Sequence, residues 1–531
     1  MTRPPGRVLL RHELRLLRRQ ALAWIVGLSV VCLGGVSGYR STYPTQAARD
    51  QIARTIGANP AFNALYGEPR HIETVTGFAA WRIGGVFVII AAVWGLLGAT
   101  RLTRGEEETG RSELIAAGAV TSIDRIRTEL LSLAAVFGAA WLAIAAGLAA
   151  GGTPGGGAAL VAVVIVAGAV AFAALGAATA ELFTTRRAAA GIAGAVLGAS
   201  ALVRIVADGT SLGALRWATP FGWAEEIRPA DGGRPLPLVL LLAWTMTWIA
   251  VAVRARRRRD LGRGLVREAL RPRSSFALLG SPEGFALRSA SGVTAAWAAG
   301  MAAMAVVLGS LARDVARFTA GSSDTQRAFQ RLGVTDAALP VGFLALAFTT
   351  LLAPMAFYGA SVMVSARTEE SAGRLELLVS GAVGRRRWLT GRLLTAATFA
   401  ALVSLVSGAG AWLGTRLHPV DVSLGSMLKA GANCIPTVLV FVAIAAVVFA
   451  FAPRLTVPIA YGAVLVAYAI EIVGQLLRWP GWVLGLSPFH HVAAVPLQPV
   501  DAQSTATLLV VACALAVCAV LRFGRRDLVA A

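Results

Sequence analysis

Twelve long apolar segments constrain the fold of this 531-residue chain more than any other feature. Each is a run of about 17–25 mainly apolar residues, the length that a helix needs to cross a bilayer. With 56% hydrophobic and 15% charged residues, the chain is too apolar for a soluble globular protein. We predict an all-α polytopic membrane protein with spans at 21–39, 78–99, 130–151, 158–180, 188–207, 237–253, 290–312, 339–361, 393–415, 430–452, 456–477 and 505–521.

The second half of the chain repeats the first. Residues 104–120 read RGEEETGRSELIAAGAV and residues 367–383 read RTEESAGRLELLVSGAV, with ten of seventeen positions identical. We therefore predict two tandem six-helix repeats related by a pseudo-twofold axis normal to the membrane. The predicted domains are a first transmembrane half at 1–255, comprising an elbow helix and six spans, a basic cytosolic linker with a second elbow helix at 256–288, and a second transmembrane half at 289–531.

The charges in the connecting segments predict the orientation. The chain has 49 Arg and Lys residues, and most of them lie in alternate connections, which are therefore expected to face the cytosol. Both termini are then cytoplasmic, in a multi-pass protein of the plasma membrane. Despite the net charge of +21, we expect membrane lipids and not nucleic acid as partners, because the basic residues flank the spans. The run RARRRR at 254–259 is interpreted as a stop-transfer flank, with a specific lipid or partner site as the alternative.

The two acidic segments are the candidate functional site. Both fall between the second and third spans of their halves, on the predicted cytosolic side. On a continuous helix, Glu107 and Arg111 would form an i,i+4 ion pair, as would Glu370 and Arg374. A glycine inside a helix costs about 1 kcal/mol relative to alanine, so the repeated Gly110 suggests close approach of another surface. The segments are interpreted as helices that present carboxylates to a two-fold partner, and solvated charges at a helix end are the alternative.

These segments resemble the permease subunits of type-2 ABC exporters, which carry an acidic E-E-x-G-x-x-E-x-L motif after the second span. The chain resembles most closely the fused, double-length actinobacterial permeases of the polyketide antibiotic or tetronasin-resistance type. The resemblance covers essentially the whole chain, including an elbow helix at 7–20 and the proline-containing segments 219–223 and 487–491. It implies coupling to nucleotide-binding subunits through Glu106, Glu107, Gly110, Arg111, Glu113, Glu369, Glu370, Gly373, Arg374 and Glu376.

The resemblance places the energy source on a different chain. A phosphate-binding loop needs a lysine followed by Ser or Thr, whereas the only lysine, Lys429, is followed by Ala430. ATP and Mg are therefore expected on a separate ATPase subunit, present as two copies, and no cofactor, metal or catalytic residue is expected in this chain. The chain would export hydrophobic or amphipathic antibiotics, drugs or lipids by alternating access.

Other functions remain open at this point. An ion-coupled secondary transporter is the main alternative, but it would be expected to carry acidic residues at the membrane midplane, where the predicted spans have almost none. A membrane glycosyltransferase would need acidic residues at the outer mouth, where Asp50, Glu68 and Glu73 are available. A sensor or structural membrane protein is a further alternative.

Several single residues near the spans could act in transport or simply lie at helix ends. Glu181 is expected to pair with Arg186 or Arg187, whereas the others are placed toward outer mouths: Arg82, Arg204 and Glu471. His490 and His491 are interpreted as loop-packing residues, with a metal or proton role as the alternative. The cysteines are predicted to pack as small apolar side chains rather than to form disulfides or bind metal: Cys32, Cys434, Cys513 and Cys518.

Overall fold

The computed structural model describes residues 5–57, 63, 66–116, 120–210, 212–266, 278, 280–320, 339–371, 373–379, 383–417, 420–476 and 479–527. Every regular element within these residues is helical. Twelve of the helices are long and apolar enough to cross a membrane. This confirms the predicted all-α fold and places a helix at each of the twelve predicted spans.

The first six spans belong to the first half of the chain. They are α1 (Pro5–Thr42), α2 (Val75–Glu108), α3 (Ser122–Ala150), α4 (Gly155–Leu182), α5 (Arg186–Gly209) and α6 (Pro235–Arg258). Shorter helices at Gln46–Gly57 and Pro220–Glu226 lie in the connections after α1 and α5. In each half, we call the end that carries the acidic segment, Glu106–Glu108 or Glu369–Glu370, the acidic end, and the other the opposite end.

The second half has the same order of spans. They are α7 (Pro282–Ala320), α8 (Leu339–Ser371), α9 (Arg385–Leu417), α10 (Leu424–Phe451), α11 (Thr456–Leu476) and α12 (Ala502–Phe523). The chain divides into two compact units, Met1–Pro272 and Arg273–Ala531. The division falls inside the linker predicted at 256–288, of which 267–277 and 279 lie outside the described residues.

The fourth helix of each half is the most enclosed. A helix that is apolar on all faces is typical of the interior of a bundle, and α4 and α10 each carry a single charged residue, Glu181 and Lys429. Glycine allows close helix contacts here: a Cβ added to Gly95 of α2 would lie 2.1 Å from the carbonyl oxygen of Ala169 in α4. Small residues at such crossings let membrane helices pack closely.

The predicted elbow helix at 7–20 does not form a separate element. Residues Pro5–Thr42 make one continuous helix of 38 residues. No Gly or Pro lies between Gly6 and Gly27 to end the helix. Glu13 also fixes these turns in line with the span, because its carboxylate accepts hydrogen bonds from Thr128 (3.0 Å) and Ser132 (2.7 Å) of α3. In the second half, Pro282–Ala320 is likewise one helix.

The cysteines lie in three different helices. Cys32 in α1 and Cys434 in α10 are buried, whereas Cys513 and Cys518 are exposed on α12. All four are free thiols. The two exposed cysteines lie among exposed apolar side chains of the same helix, such as Val510 and Val517.

Candidate functional site

Each acidic segment contains a sharp turn at its glycine. In the first half α2 ends at Glu108, and a new helix, Arg111–Ala116, begins after Gly110. Gly110 has φ +73° and Gly373 has φ +69°, a left-handed conformation that favours glycine. The N–H of each glycine donates at 3.0 Å to a carbonyl three residues earlier. The predicted uninterrupted helix is therefore wrong, and the glycines are helix-terminating residues.

The turn also changes the ion pairs. The predicted pair between Glu107 and Arg111 does not form; the Arg111 guanidinium lies 3.5 Å from Glu106 instead. An i,i+4 pair needs a continuous helix, which Gly110 interrupts. Gly373 interrupts the matching helix between Glu370 and Arg374. No described atom lies within 4 Å of a Cβ built on either glycine, so the inferred close approach is not seen in the described part of the chain.

Glu107 is buried among arginines rather than presented to a partner. Its side chain is 2% exposed. One carboxylate oxygen accepts hydrogen bonds from Arg104 (2.7 Å) and Arg259 (2.9 Å), and the other accepts one from Arg259 (2.6 Å). Burial disfavours the charged form of Arg259, but hydrogen bonding to Glu107 and the nearby carboxylates outweigh it and raise its pKa. The pair ties the end of α2 to the segment after α6.

Two further carboxylates complete a buried network in the first half. Glu181 of α4 accepts from Arg256 (2.6 Å) and Arg259 (2.5 Å), and Glu129 of α3 accepts from Arg256 (3.1 Å). Glu181 was predicted to pair with Arg186 or Arg187; the structure corrects this, because both of its oxygens face the end of α6. We call this network the first charge cluster: Arg104, Glu107, Arg125, Glu129, Glu181, Arg256 and Arg259.

A related network lies at the acidic end of the second half. Glu370, 1% exposed, is bound by Arg526 from the segment after α12 and lies 3.5 Å from Arg367. Glu369 pairs with Arg392 of α9. Arg526 also donates to the carbonyl of Phe449 at 3.0 Å. We call this the second charge cluster: Arg367, Glu369, Glu370, Arg392 and Arg526.

The two clusters share one element of the repeat. In each half a buried glutamate binds an arginine three residues before it, Arg104 or Arg367. In each half it also binds an arginine just after the sixth span, Arg259 or Arg526. That arginine belongs to the sequence RRD, at 258–260 and again at 525–527. We call the pairs Glu107–Arg259 and Glu370–Arg526 the tethers. Each tether joins the end of the second span to the segment after the sixth span of its half.

The rest of the two clusters differs in chemistry. In the register of the repeat, Trp388, Phe449 and Phe523 occupy the positions of Arg125, Glu181 and Arg256. The three aromatic rings pack together with centroid distances of 5.4–6.2 Å. The Arg526 guanidinium lies 5.1 Å from the Phe449 ring centroid and 5.2 Å from that of Phe523. Both tethers are ion pairs, but the first half surrounds its tether with further ion pairs and the second half surrounds it with aromatic rings.

The acidic segments also have an exposed edge. Glu106 and Glu369 are half-buried. The short helices after the glycines expose one basic and one acidic residue each: Arg111 and Glu113 in the first half, Arg374 and Glu376 in the second. Of the ten predicted coupling residues, the two tether glutamates are thus enclosed, and these four face away from their unit.

A separate charge network lies at the opposite end of the first half. Arg204 was predicted at an outer mouth with its charge reaching solvent; instead it is 1% exposed and pairs with Asp208 (3.1 Å) and Glu225 (3.3 Å). We call this network the opposite-end cluster: Glu68, Arg70, Arg204, Asp208, Arg216, Glu225, Glu226 and Arg228. Its members join the loop after Tyr66 to α5 and to the segment before α6.

The remaining single candidates have ordinary partners. Arg82 is exposed and lies over the Tyr66 ring, 4.1 Å from its centroid. Glu471 lies 3.5 Å from Nδ1 of His490, and Nε2 of His491 lies 2.8 Å from the carbonyl oxygen of Gly485. Two of the acids considered for a glycosyltransferase, Asp50 and Glu73, contact Gln46 (2.9 Å) and His71 (3.2 Å).

Comparison with known proteins identifies the family. A family model described as "Multidrug efflux system permease Rv1217c, C-terminal domain" matches residues 12–257 and again residues 279–524. The chain belongs to this permease family. A relative, the multidrug efflux system permease protein Rv1217c of Mycobacterium tuberculosis, is 32% identical to this permease over 526 residues, covering 98% of this chain and 94% of the relative. The two matches of one model agree with the tandem repeat seen in the sequence.

Sequence reasoning missed the basic residues of the site. Arg256 and Arg259 were interpreted only as part of a stop-transfer flank, and Arg526 was not considered as a site residue. One signal was available: the sequence RRD, which occurs after the sixth span of each half. The glutamate partners of these arginines lie more than 70 residues away in the chain, so no local pattern names them.

Proposed function

We propose that this permease is the membrane subunit of an ATP-driven ABC exporter for hydrophobic or amphipathic compounds. ATP and Mg would bind to a separate nucleotide-binding subunit, and two copies of it would serve one copy of this chain. Two features support the proposal: the relative carries the name of a multidrug efflux system permease, and each half repeats an acidic segment that combines a buried tether with an exposed edge.

The exposed edge is suited to docking. Arg111 with Glu113, and Arg374 with Glu376, offer a basic and an acidic group on a short helix that is joined to its span by one glycine turn. Complementary charges at such a surface orient a partner and speed its association. In this proposal the ATPase subunits contact these residues, while Glu107 and Glu370 make no contact with them.

The buried tether could transmit movement from a docked subunit to the membrane spans. A movement of the helix Arg111–Ala116 would be transmitted to the end of α2 through Gly110. From there it would be transmitted to α6 through the ion pair between Glu107 and Arg259. Glu370 and Arg526 provide the same path from α8 to α12. ATP-driven movement of the docked subunits would thus move the second and sixth spans of each half together. Alternating access to the two sides of the membrane would follow from that movement.

The proposed substrates follow from the family and from the resemblance. Hydrophobic antibiotics of the polyketide type, other drugs and lipids all suit a permease whose spans are built from Ala, Gly, Val and Leu. We propose the plasma membrane as its location, with both termini in the cytoplasm, because most basic connections lie on the side of the acidic segments.

The proposal is tested by co-expressing the permease with a candidate ATPase subunit and purifying the two in lipid. We expect the ATPase to co-purify and its hydrolysis to be stimulated by an exported drug. The double change Glu113→Lys plus Glu376→Lys reverses both exposed acids and should abolish co-purification. Measured below its lowered unfolding temperature, the double change Glu107→Gln plus Glu370→Gln should leave co-purification intact but lower the drug-stimulated rate at least tenfold.

The matched control is Asp260→Lys, which reverses an exposed acid at the same end of the first half. It should behave as the wild type in both measurements. If no ATPase associates and a proton gradient alone drives drug flux, the chain is an ion-coupled secondary transporter and the proposal is wrong.

A further inference from the structure

An apolar groove of about 590 Å³ runs along the first unit. It lies between α3, α4 and α6, and its walls include Leu130, Phe137, Trp141, Val170, Leu242 and Ile249. Thr245, a hydroxyl residue in the wall, donates its hydroxyl to the carbonyl of Leu241 at 2.8 Å. The groove therefore offers a continuous apolar wall to its occupant.

The second unit has a groove between the equivalent three spans. It lies between α9, α10 and α12, the third, fourth and sixth spans of that half, and has a volume of about 360 Å³. Leu393, Leu394, Leu439, Val442, Val517 and Val520 form much of its wall. Recurrence in both halves indicates that the groove is a property of the six-helix repeat.

Both grooves open onto an apolar outer surface. Leu131, Leu142, Leu242 and Met246 are exposed beside the first groove, and Leu394, Val510 and Val517 are exposed beside the second. In a membrane protein such a surface faces lipid. The first groove extends along α3 from Leu130, near the acidic end, to Trp141, about 17 Å at the rise of an α-helix. This matches one leaflet of a hydrocarbon core about 30 Å thick.

Exposed arginines flank the acidic end of each groove. The exposed Arg127 lies one turn before Leu130 on α3, and the exposed Arg257 lies about two turns after Ile249 on α6. At the second groove, Arg386 lies one turn before Thr390. A Cβ added to Gly524 would be 2.7 Å from Cγ of Arg386, so this arginine covers the end of α12, beside the exposed Arg525.

We propose that each half binds one anionic phospholipid from the leaflet on the side of the acidic segments. One acyl chain occupies the groove, and the phosphate group lies between the two arginines at its end. An apolar wall that ends in paired cations complements a lipid with a negative headgroup, because arginines near an anionic headgroup are attracted to it. The arginine distribution predicts that this is the inner leaflet.

The test uses Trp141, which lines the first groove. The full-length permease is purified in detergent and titrated with phosphatidylglycerol or phosphatidylcholine whose acyl chains carry bromine, which quenches nearby tryptophan fluorescence. The difference in quenching between the wild type and Trp141→Phe measures lipid bound in the first groove. We expect brominated phosphatidylglycerol to quench Trp141 at a concentration about tenfold lower than brominated phosphatidylcholine, given the attraction of two arginines.

The double change Arg127→Gln plus Arg257→Gln should remove this preference, and Arg127→Lys plus Arg257→Lys should keep it. The control Arg18→Gln plus Arg19→Gln removes two exposed charges at the same end of α1, which does not line the groove, and should behave as the wild type. Because the Lys variant keeps both charges, loss of selectivity in the Gln variant alone separates headgroup binding from a folding defect.

Three results would overturn the proposal. The first is equal quenching by the two lipids, which would make the groove an unselective lipid contact. The second is an equal loss of preference in the Arg18 and Arg19 control, which would reflect general surface charge. The third is displacement of the brominated lipid by an uncharged apolar drug with no dependence on Arg127 or Arg257, which would assign the groove to apolar small molecules.

Discussion

Glu107 and Glu370 illustrate how the same residue type can serve two purposes within one short motif. Both are buried, and each is bound by an arginine from beyond the sixth span of its half. A buried charge is tolerated only where it is paired and hydrogen-bonded. The motif therefore combines carboxylates that fix the segment to its unit with carboxylates, Glu113 and Glu376, that remain accessible.

Replacing Glu107 by Gln should destabilise the permease strongly. The change leaves Arg104, Arg256 and Arg259 in a buried site with one carboxylate fewer, and breaking a buried ion pair costs about 3–5 kcal/mol. Thermal unfolding of the purified permease in detergent measures the effect. The exposed change Glu113→Gln should alter stability by no more than about 0.5 kcal/mol. Equal unfolding temperatures for the two variants would contradict the tether.

At this scale the sequence predicted which segments matter but not which atoms meet. The duplication singled out the acidic residues, because an Ala-rich composition does not repeat Glu and Arg at fixed spacing by chance. The predicted partners were local, since the i,i+3 and i,i+4 spacings are the contact rules that a sequence supplies on a helix. Glu107 does bind one local residue, Arg104, but its other hydrogen-bond partner, Arg259, comes from 152 residues away, and tertiary packing alone decides that contact.

At the scale of single elements, the sequence predicted the membrane spans more accurately than the positions where helices begin and end. All twelve spans were predicted, because apolar length alone defines a span. The elbow helix at 7–20 was wrong because a basic amphipathic stretch continues into a span when no breaker separates them. The turns at Gly110 and Gly373 were not predicted, because a single Gly among helix-forming residues does not by itself indicate a left-handed conformation.

The opposite-end cluster predicts a pH dependence. Burial raises the pKa of Glu226, but hydrogen bonding to Arg70 and the nearby arginine charges outweigh burial and hold the pKa below its ordinary value. A carboxyl whose pKa is lowered on folding stabilises the folded state above its ordinary pKa of about 4.3. That stabilisation is lost as the pH falls through the lowered value.

The unfolding temperature of the wild type should therefore fall between pH 7 and pH 3.5 by more than that of Glu226→Gln. The variant should be less stable than the wild type at pH 7, and the difference should shrink in acid. Asp50→Asn, a change in the short helix Gln46–Gly57, should keep the pH dependence of the wild type. A parallel pH dependence of the wild type and Glu226→Gln would show that the pair with Arg70 contributes nothing.

For the whole molecule, the two halves share the order of spans and the tether, but they differ in the side chains that surround the tether. One family model matches both halves, and both contain the tether from second to sixth span. Yet Arg125, Glu181 and Arg256 of the first half are replaced by Trp388, Phe449 and Phe523 in the second. Ion pairs require matched charges at fixed positions, whereas the three rings, tilted by 30–47° to one another, make apolar contacts that are less directional. The two halves therefore need not respond equally to a docked partner.

The most direct test of the central claim is the number of ATPase subunits bound per permease, measured by native mass spectrometry of the complex. We predict two for the wild type, one for Glu113→Lys alone, one for Glu376→Lys alone, and none for the double variant. A complex that keeps two subunits when both exposed acids are reversed would contradict docking through the acidic segments.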